Sequence, residues 1–226
     1  MKTAFDERKA ETRDMIINAA RKVFSEKGYH KAQIADIIKE AGISTGSVYA
    51  HFHDKKDLFE QITLENLESL RIKLKTLRQT EQPGDAIERM NRWKLTYGAF
   101  FDYVDEHPQQ ILMILRGGFG VDEEHDEMLW RFFNSFAEDI ADDFRKWIHL
   151  GFHEGLNPTL LGHIIVGMTL HVAHSYLVDR QFSRTEAINS LMALNYAMFS
   201  IYLTEKGRAV LGNTSPPTIT EDNEVE

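Results

Sequence analysis

Apolar residues recur at the three-and-four spacing of a helical face along most of this chain. The first such stripe, Ile16, Ala19, Ala20, Val23 and Phe24, predicts a helix from about Glu7 to Glu26 that stops at Gly28, preceded by a flexible charged arm, Met1 to Arg8. A shorter amphipathic helix follows over Gln33 to Glu40, with Ile34, Ile37, Ile38 and Ala41 on one face. Gly42 supplies the left-handed residue that ends it, Ile43 pins the turn, and Ser44 caps a second short helix carrying Val48, Tyr49 and Phe52. Two short helices joined by a tight glycine turn make a helix-turn-helix. Beyond it the pattern predicts a long helix from Asp54 to about Gln79, with Leu67, Leu70, Leu74 and Leu77 on one seam. A further helix from Pro83 places Ala86, Met90, Trp93, Tyr97, Phe100 and Val104 on one face, and a short one runs from Pro108 to Leu115. Gly117 to Gly120 breaks the chain as a hinge or a plain loop. A long helix from Asp122 to His153 then carries Leu129, Phe132, Phe133, Phe136, Ile140, Phe144, Trp147 and Ile148. The last pair covers Pro158 to Arg180, apolar nearly all round, and Ser183 to Glu205, with Ala187, Leu191, Leu194, Met198 and Ile201 aligned. The fold class is therefore all-α: a three-helix helix-turn-helix domain over 1–53, a second helical domain over 54–206, and a polar tail over 207–226, expected to be disordered.

The second short helix begins Thr45-Gly46-Ser47, a small polar first turn in which glycine lowers helix propensity. A helix that enters the major groove reads base edges with its N-terminal residues, and small side chains there allow close approach. The run Ala41-Gly42-Ile43-Ser44-Thr45-Gly46-Ser47-Val48-Tyr49-Ala50-His51-Phe52, followed by Asp54-Lys55-Lys56-Asp57-Leu58, resembles the DNA-binding signature of the TetR family of transcriptional regulators. The resemblance extends upstream through Ile16 to Ala20, Val23-Phe24 and Gly28-Tyr29, about the first quarter of the chain. It implies a cytoplasmic homodimer that binds a palindromic operator in double-stranded DNA. Ser44, Thr45, Gly46, Ser47 and Tyr49 then lie at the groove, and Gln33, His51 and Lys55 near phosphate. Where the family often has a hydroxyl residue this chain has Ala32, with Gln33 next to it as a substitute donor.

Charge is distributed in keeping with this. The net charge is -9, yet residues up to Lys56 hold eleven Lys and Arg against eight Asp and Glu, a net +3 that leaves -12 for the rest. A mildly basic module on an acidic body binds duplex phosphate locally. The absence of cysteine excludes a disulfide framework and a thiolate zinc site. Gly42-Ile43-Ser44-Thr45-Gly46 also spells G-x-S-x-G, but that nucleophile elbow needs a preceding strand, and the residues before it have helical period. No catalytic set remains, and the chain reads as a regulator rather than an enzyme.

The aromatic stripes of the second part suggest an apolar effector cavity lined by Trp93, Tyr97, Phe100, Phe101, Phe132, Phe133, Phe136 and Met168, with a fatty acyl compound or hydrophobic drug as the ligand. Arg92, Arg116 or the histidines are candidates for an anionic head group. The resemblance implies a repressor released by that ligand and a dimer through the two last long helices; a metal- or anion-sensing regulator of the same fold, or an activator, is the alternative. Among ten histidines, His149 and His153, and His171 and His174, have the spacing of chelating pairs, but no third ligand accompanies them, so neither a metal nor a cofactor is expected.

Overall fold

A computed structural model of the chain describes residues 4–64, 67–79, 86–117 and 119–211. All regular structure in these residues is helical, in the order α1 (Ala4–Lys31), α2 (Ile34–Ala41), α3 (Thr45–Tyr49), α4 (Lys55–Leu64), α5 (Leu67–Arg78), α6 (Ala86–Glu106), α7 (Pro108–Gly117), α8 (Glu123–His149), α9 (Pro158–Val178), α10 (Arg184–Ile201) and α11 (Glu205–Leu211). The chain forms two compact units, Met1–Glu68 with His107–Leu129, and Ser69–Glu106 with Trp130–Glu226. A domain boundary at residue 53 thus falls inside the first unit, which goes on through α4 and takes in α7.

The first unit is built around α1. Ile16, Ala19, Ala20, Val23 and Phe24 are all buried, as their spacing predicts, together with Ile37 of α2, Val48 of α3, Leu58, Phe59 and Ile62 of α4, and Ile111, Met113 and Ile114 of α7. Phe24 meets Phe59 edge to face at 4.8 Å, the arrangement that ring quadrupoles favour. The expected arm is helical from Ala4 onward, and Met1 to Thr3 lie outside the described residues. Gly28 interrupts the helix at φ +73°, where the sequence put its stop.

In the second unit Asp139 and Asp143, one turn apart on α8, receive the cations of α5. Arg71 bonds Asp139 at 2.8 Å, Lys75 reaches the same carboxylate, and Arg78 bonds Asp143 at 2.9 Å. Below this ladder Ile140, Phe144, Leu156, Leu161 and Ile165 form an apolar cluster. Tyr97, buried on α6, accepts a 2.6 Å hydrogen bond from Asn195 of α10. Gly162 of α9 lies against α8 so closely that a Cβ there would sit 2.1 Å from the Ala137 carbonyl oxygen.

Several expected boundaries move. The helix expected from Asp54 to Gln79 is described as α4 and α5, on either side of residues 65–66, which lie outside the described residues. The helix expected to reach His153 ends at His149, because Gly151 takes φ +75° and turns the chain away. His149 is left exposed on the helix and His153 is buried beyond it, pairing with Leu203 in an isolated bridge, so the two do not share a helical face. Residues 207–211 of the supposed tail belong to α11, which is anchored where Thr204 accepts the Gly207 N–H at 3.0 Å; residues 212–226 lie outside the described residues. By length and composition α9 could cross a membrane, and 28 % of its most apolar window is buried, less than the covering on two sides that its all-round apolar pattern suggests.

Candidate nucleic-acid interface and effector cavity

The helix-turn-helix is held by its caps. At the end of α2, Gly42 adopts φ +67° and ψ +31° and its N–H bonds the Ile38 carbonyl. Ser44 then accepts the Ser47 N–H at 3.2 Å, and the two hydroxyls lie 2.8 Å apart. This capped end fixes the first turn of α3, while Val48 and Phe52 are buried beneath it. Thr45, Gly46 and Tyr49 are exposed, Tyr49 by 54 %, and Ser47 is half-buried. The sequence-predicted groove residues therefore share one exposed short helix.

The phosphate candidates divide differently. Gln33 is exposed at the start of α2, where its backbone N–H donates to the Asp36 carboxylate at 3.0 Å. That carboxylate also pairs with Lys27 at 2.7 Å, and Lys27 and then the Gln33 N–H hold its pKa below the usual range. Ala32 is buried, and its carbonyl accepts from Lys55 Nζ at 3.1 Å. His51 is half-buried, and burial followed by the charges of Lys9 and Arg13 lowers its pKa, which leaves a neutral ring beside two cations. Lys55 is turned inward: Nζ donates to the carbonyls of Tyr29 at 2.9 Å and Ala32 at 3.1 Å and lies 4.2 Å from the centre of the Tyr29 ring. It braces the end of α1 against the start of α4, a role its position in the motif did not reveal. Ahead of it Asp54 accepts the Asp57 N–H at 2.9 Å and caps α4, and that bond holds its carboxyl below the usual carboxylate range. Lys56 pairs with Asp122 at 2.8 Å and Glu124 at 2.9 Å, which raise its pKa.

Residues 16–62 match the family model described as "Bacterial regulatory proteins, tetR family". Over these residues the resemblance to the TetR family is borne out. Along most of its length the chain is 26 % identical to YdgC, an HTH-type transcriptional regulator of Bacillus subtilis, over 80 % of this chain and 91 % of that one. It is 46 % identical to the regulator UidR of Escherichia coli over 57 residues, 25 % of this chain and 29 % of UidR. In fold it resembles SmeT, the repressor of a Stenotrophomonas maltophilia multidrug efflux pump. The TM-score is 0.69 at 18 % identity, over 92 % of this chain and 96 % of that one. It likewise resembles FadR of Bacillus subtilis, solved with stearoyl-CoA, at TM-score 0.67 and 20 % identity, over 80 % of this chain and 96 % of that one. The relatives are transcriptional regulators, not enzymes. Members of the family bind DNA operators and small-molecule ligands and act as dimers.

A cavity of about 80 Å³ opens in the second unit, between α5, α6, α8, α10 and the segment after α8. Of the aromatic residues expected to line such a space, Trp93 does. Tyr97, Phe100, Phe101 and Phe132 are buried elsewhere, Phe136 packs edge-on against Phe132 at 5.1 Å, and Phe133 and Met168 are half-buried; none of these seven lines this cavity. Its walls instead include Phe144, Trp147, Tyr196 and Phe199, with Arg78, Arg89, Arg92, Lys146 and His153 among them. A signal for these residues was present: Arg89 and Trp93 are one turn apart, as are Tyr196 and Ser200. Which helical faces meet is a long-range matter that spacing does not carry. Arg92 does line the cavity; the side chain of Arg116 lies outside those described.

Proposed function

We propose that this protein is a ligand-responsive repressor that binds a palindromic operator as a dimer and releases it when a small molecule occupies the second unit. The observation that carries the reading is α3: a short helix with a capped, small first turn and Thr45, Gly46 and Tyr49 exposed on a buried scaffold. Ser44, Thr45, Gly46, Ser47 and Tyr49 contact the groove, and Gln33, His51 and Lys55 lie at phosphate. The helix-turn-helix of the first unit serves DNA binding, and the second unit serves effector binding and dimerisation. The dimer forms through α9 and α10, where Leu160, Ile164, Leu194 and Ile201 are large apolar residues exposed by 42 to 74 %. Two such faces on neighbouring helices suit a two-fold four-helix contact. The cytoplasm is the compartment where such a protein meets its operator.

An effector with an apolar body agrees with the aromatic content of the second unit and with the stearoyl-CoA carried by one structural relative. Binding must differ between the operator-competent and released states, since a ligand shifts an equilibrium only by its differential affinity. Selection of duplexes from a random pool by the purified protein tests the reading. A two-fold symmetric site with half-sites about 34 to 36 Å apart, or a multiple set by the dimer, is expected. Thr45→Ala and Tyr49→Ala should change the bases preferred within each half. Enrichment of no symmetric sequence would overturn the proposal.

A further inference from the structure

The cavity in the second unit has a charge that its surroundings lack. Arg78, Arg89, Arg92 and Lys146 line it against the single carboxylate of Asp143, in a chain whose net charge is -9. Arg78 and Arg92 are engaged at its edge, the former with Asp143 at 2.9 Å and the latter with Glu88 at 2.7 Å. Arg89 is only 8 % exposed, with its guanidinium stacked on the Trp147 ring and 5.5 Å from the centre of Phe152. Beside it His153 is 4 % exposed and lines the same cavity. Neither of its ring nitrogens meets a protein partner at hydrogen-bonding geometry. Burial and then the Arg89 charge press its pKa down to about 4, with the Phe199 carbonyl opposing weakly, so near neutral pH the ring keeps one N–H to donate. Among the described residues the Phe199 carbonyl is the one backbone acceptor acting on the ring, at less than full hydrogen-bonding geometry, so the buried imidazole keeps capacity for a ligand oxygen.

A concentration of fixed positive charge in a partly enclosed aromatic cleft favours an anion, and a guanidinium fork matches a carboxylate. Flat walls from Trp93, Trp147 and Phe199 favour a planar body. We propose that this cavity binds an aromatic carboxylate, its oxygens directed to Arg89 and His153 and its ring held between the aromatic walls. The inference rests on reading the second unit as the effector domain, and it names the chemical class of effector. It also moves the site away from the Phe132, Phe133 and Phe136 stripe of α8.

The test uses the full chain, 2-naphthoate as the probe and 2-naphthamide as its neutral counterpart, followed by calorimetry and tryptophan fluorescence. Saturable binding of the carboxylate, at least about tenfold tighter than the amide, is expected. Arg89→Met and His153→Phe should each weaken naphthoate by about tenfold or more while leaving naphthamide nearly unchanged. Should Arg89→Met fail to fold, as a melting curve would reveal, the comparison of the two probes on the native chain still decides. Equal affinity for acid and amide, or no saturation by naphthoate in the millimolar range, overturns the inference. Operator binding without any probe is measured in parallel. Its presence beside a failed naphthoate titration removes only the anion site, whereas its absence removes the regulator reading itself.

Discussion

Lys55 illustrates how much a motif leaves unsaid about a side chain. Its spacing marks it for phosphate, but two backbone carbonyls and the Tyr29 ring take up the ammonium within the protein. Hydrogen bonds from a charged donor are worth about 1.5 to 3 kcal/mol, so Lys55→Ala should lower the melting temperature as well as weaken operator binding. If a phosphate contact is made as well, the slope of log affinity against log salt should fall by about 0.9 on substitution. A lowered melting point with an unchanged slope would leave Lys55 as a brace alone. His153 makes a different prediction. Its pKa falls from about 6.5 in the unfolded chain to about 4 in the fold. The unfolded state therefore binds more protons between these values, and stability rises with pH across that window and is complete above it. Acidification from pH 6.5 to 4 should remove at most about 3 kcal/mol through this residue, and His153→Phe should flatten that limb of a pH-dependent denaturation series. Neither burial nor partner at position 153 could be read from the sequence, since helical periodicity carried α8 past its true end.

Among the elements, those fixed by local chemistry were the most legible. Gly28 and Gly42 stop their helices with positive φ, Ser44 and Ser183 cap the helices that follow, and the buried stripe of α1 is the one its spacing predicts. Gly42→Ala meets no steric obstacle but must hold a left-handed backbone, which costs about 1 to 2 kcal/mol. A melting point lowered by a few degrees and weaker operator binding should result. On α10 the prediction was less complete: Ala187 and Leu191 are buried as expected, but Ile188, Met192 and Asn195 complete the buried face, and Leu194 and Ile201 point away from it. One apolar seam was in fact two faces, and a single sequence does not distinguish packing within a chain from packing against another copy. Gly162→Ala should be more damaging than the change at Gly42, since its Cβ would meet backbone rather than a flexible side chain. Overpacking of this kind costs about 1 to 3 kcal/mol, readable as a lowered denaturation midpoint.

For the whole molecule the prediction concerns association. Leu194→Glu on the exposed face of α10 should convert the dimer to a monomer in sedimentation analysis and abolish operator shift, with helicity by circular dichroism unchanged. A dimer that survives would place the interface elsewhere. The basic first 56 residues and the acidic remainder, visible from the sequence alone, should make the proposed operator binding fall with rising salt, as a titration at several salt concentrations would read. The effector cavity was far less visible, because it is assembled from α5, α6, α8 and α10 and depends on which faces meet across more than a hundred residues. At Gly162 the α8 and α9 backbones cross with no side chain between them, flanked on α9 by the exposed Leu160 and Ile164. Two turns farther along α8 lies Phe144, in the cavity wall. Such a crossing has no compressible layer, so if a partner seats on α9 and a ligand on α8 as proposed, both bear on the same contact of two backbones.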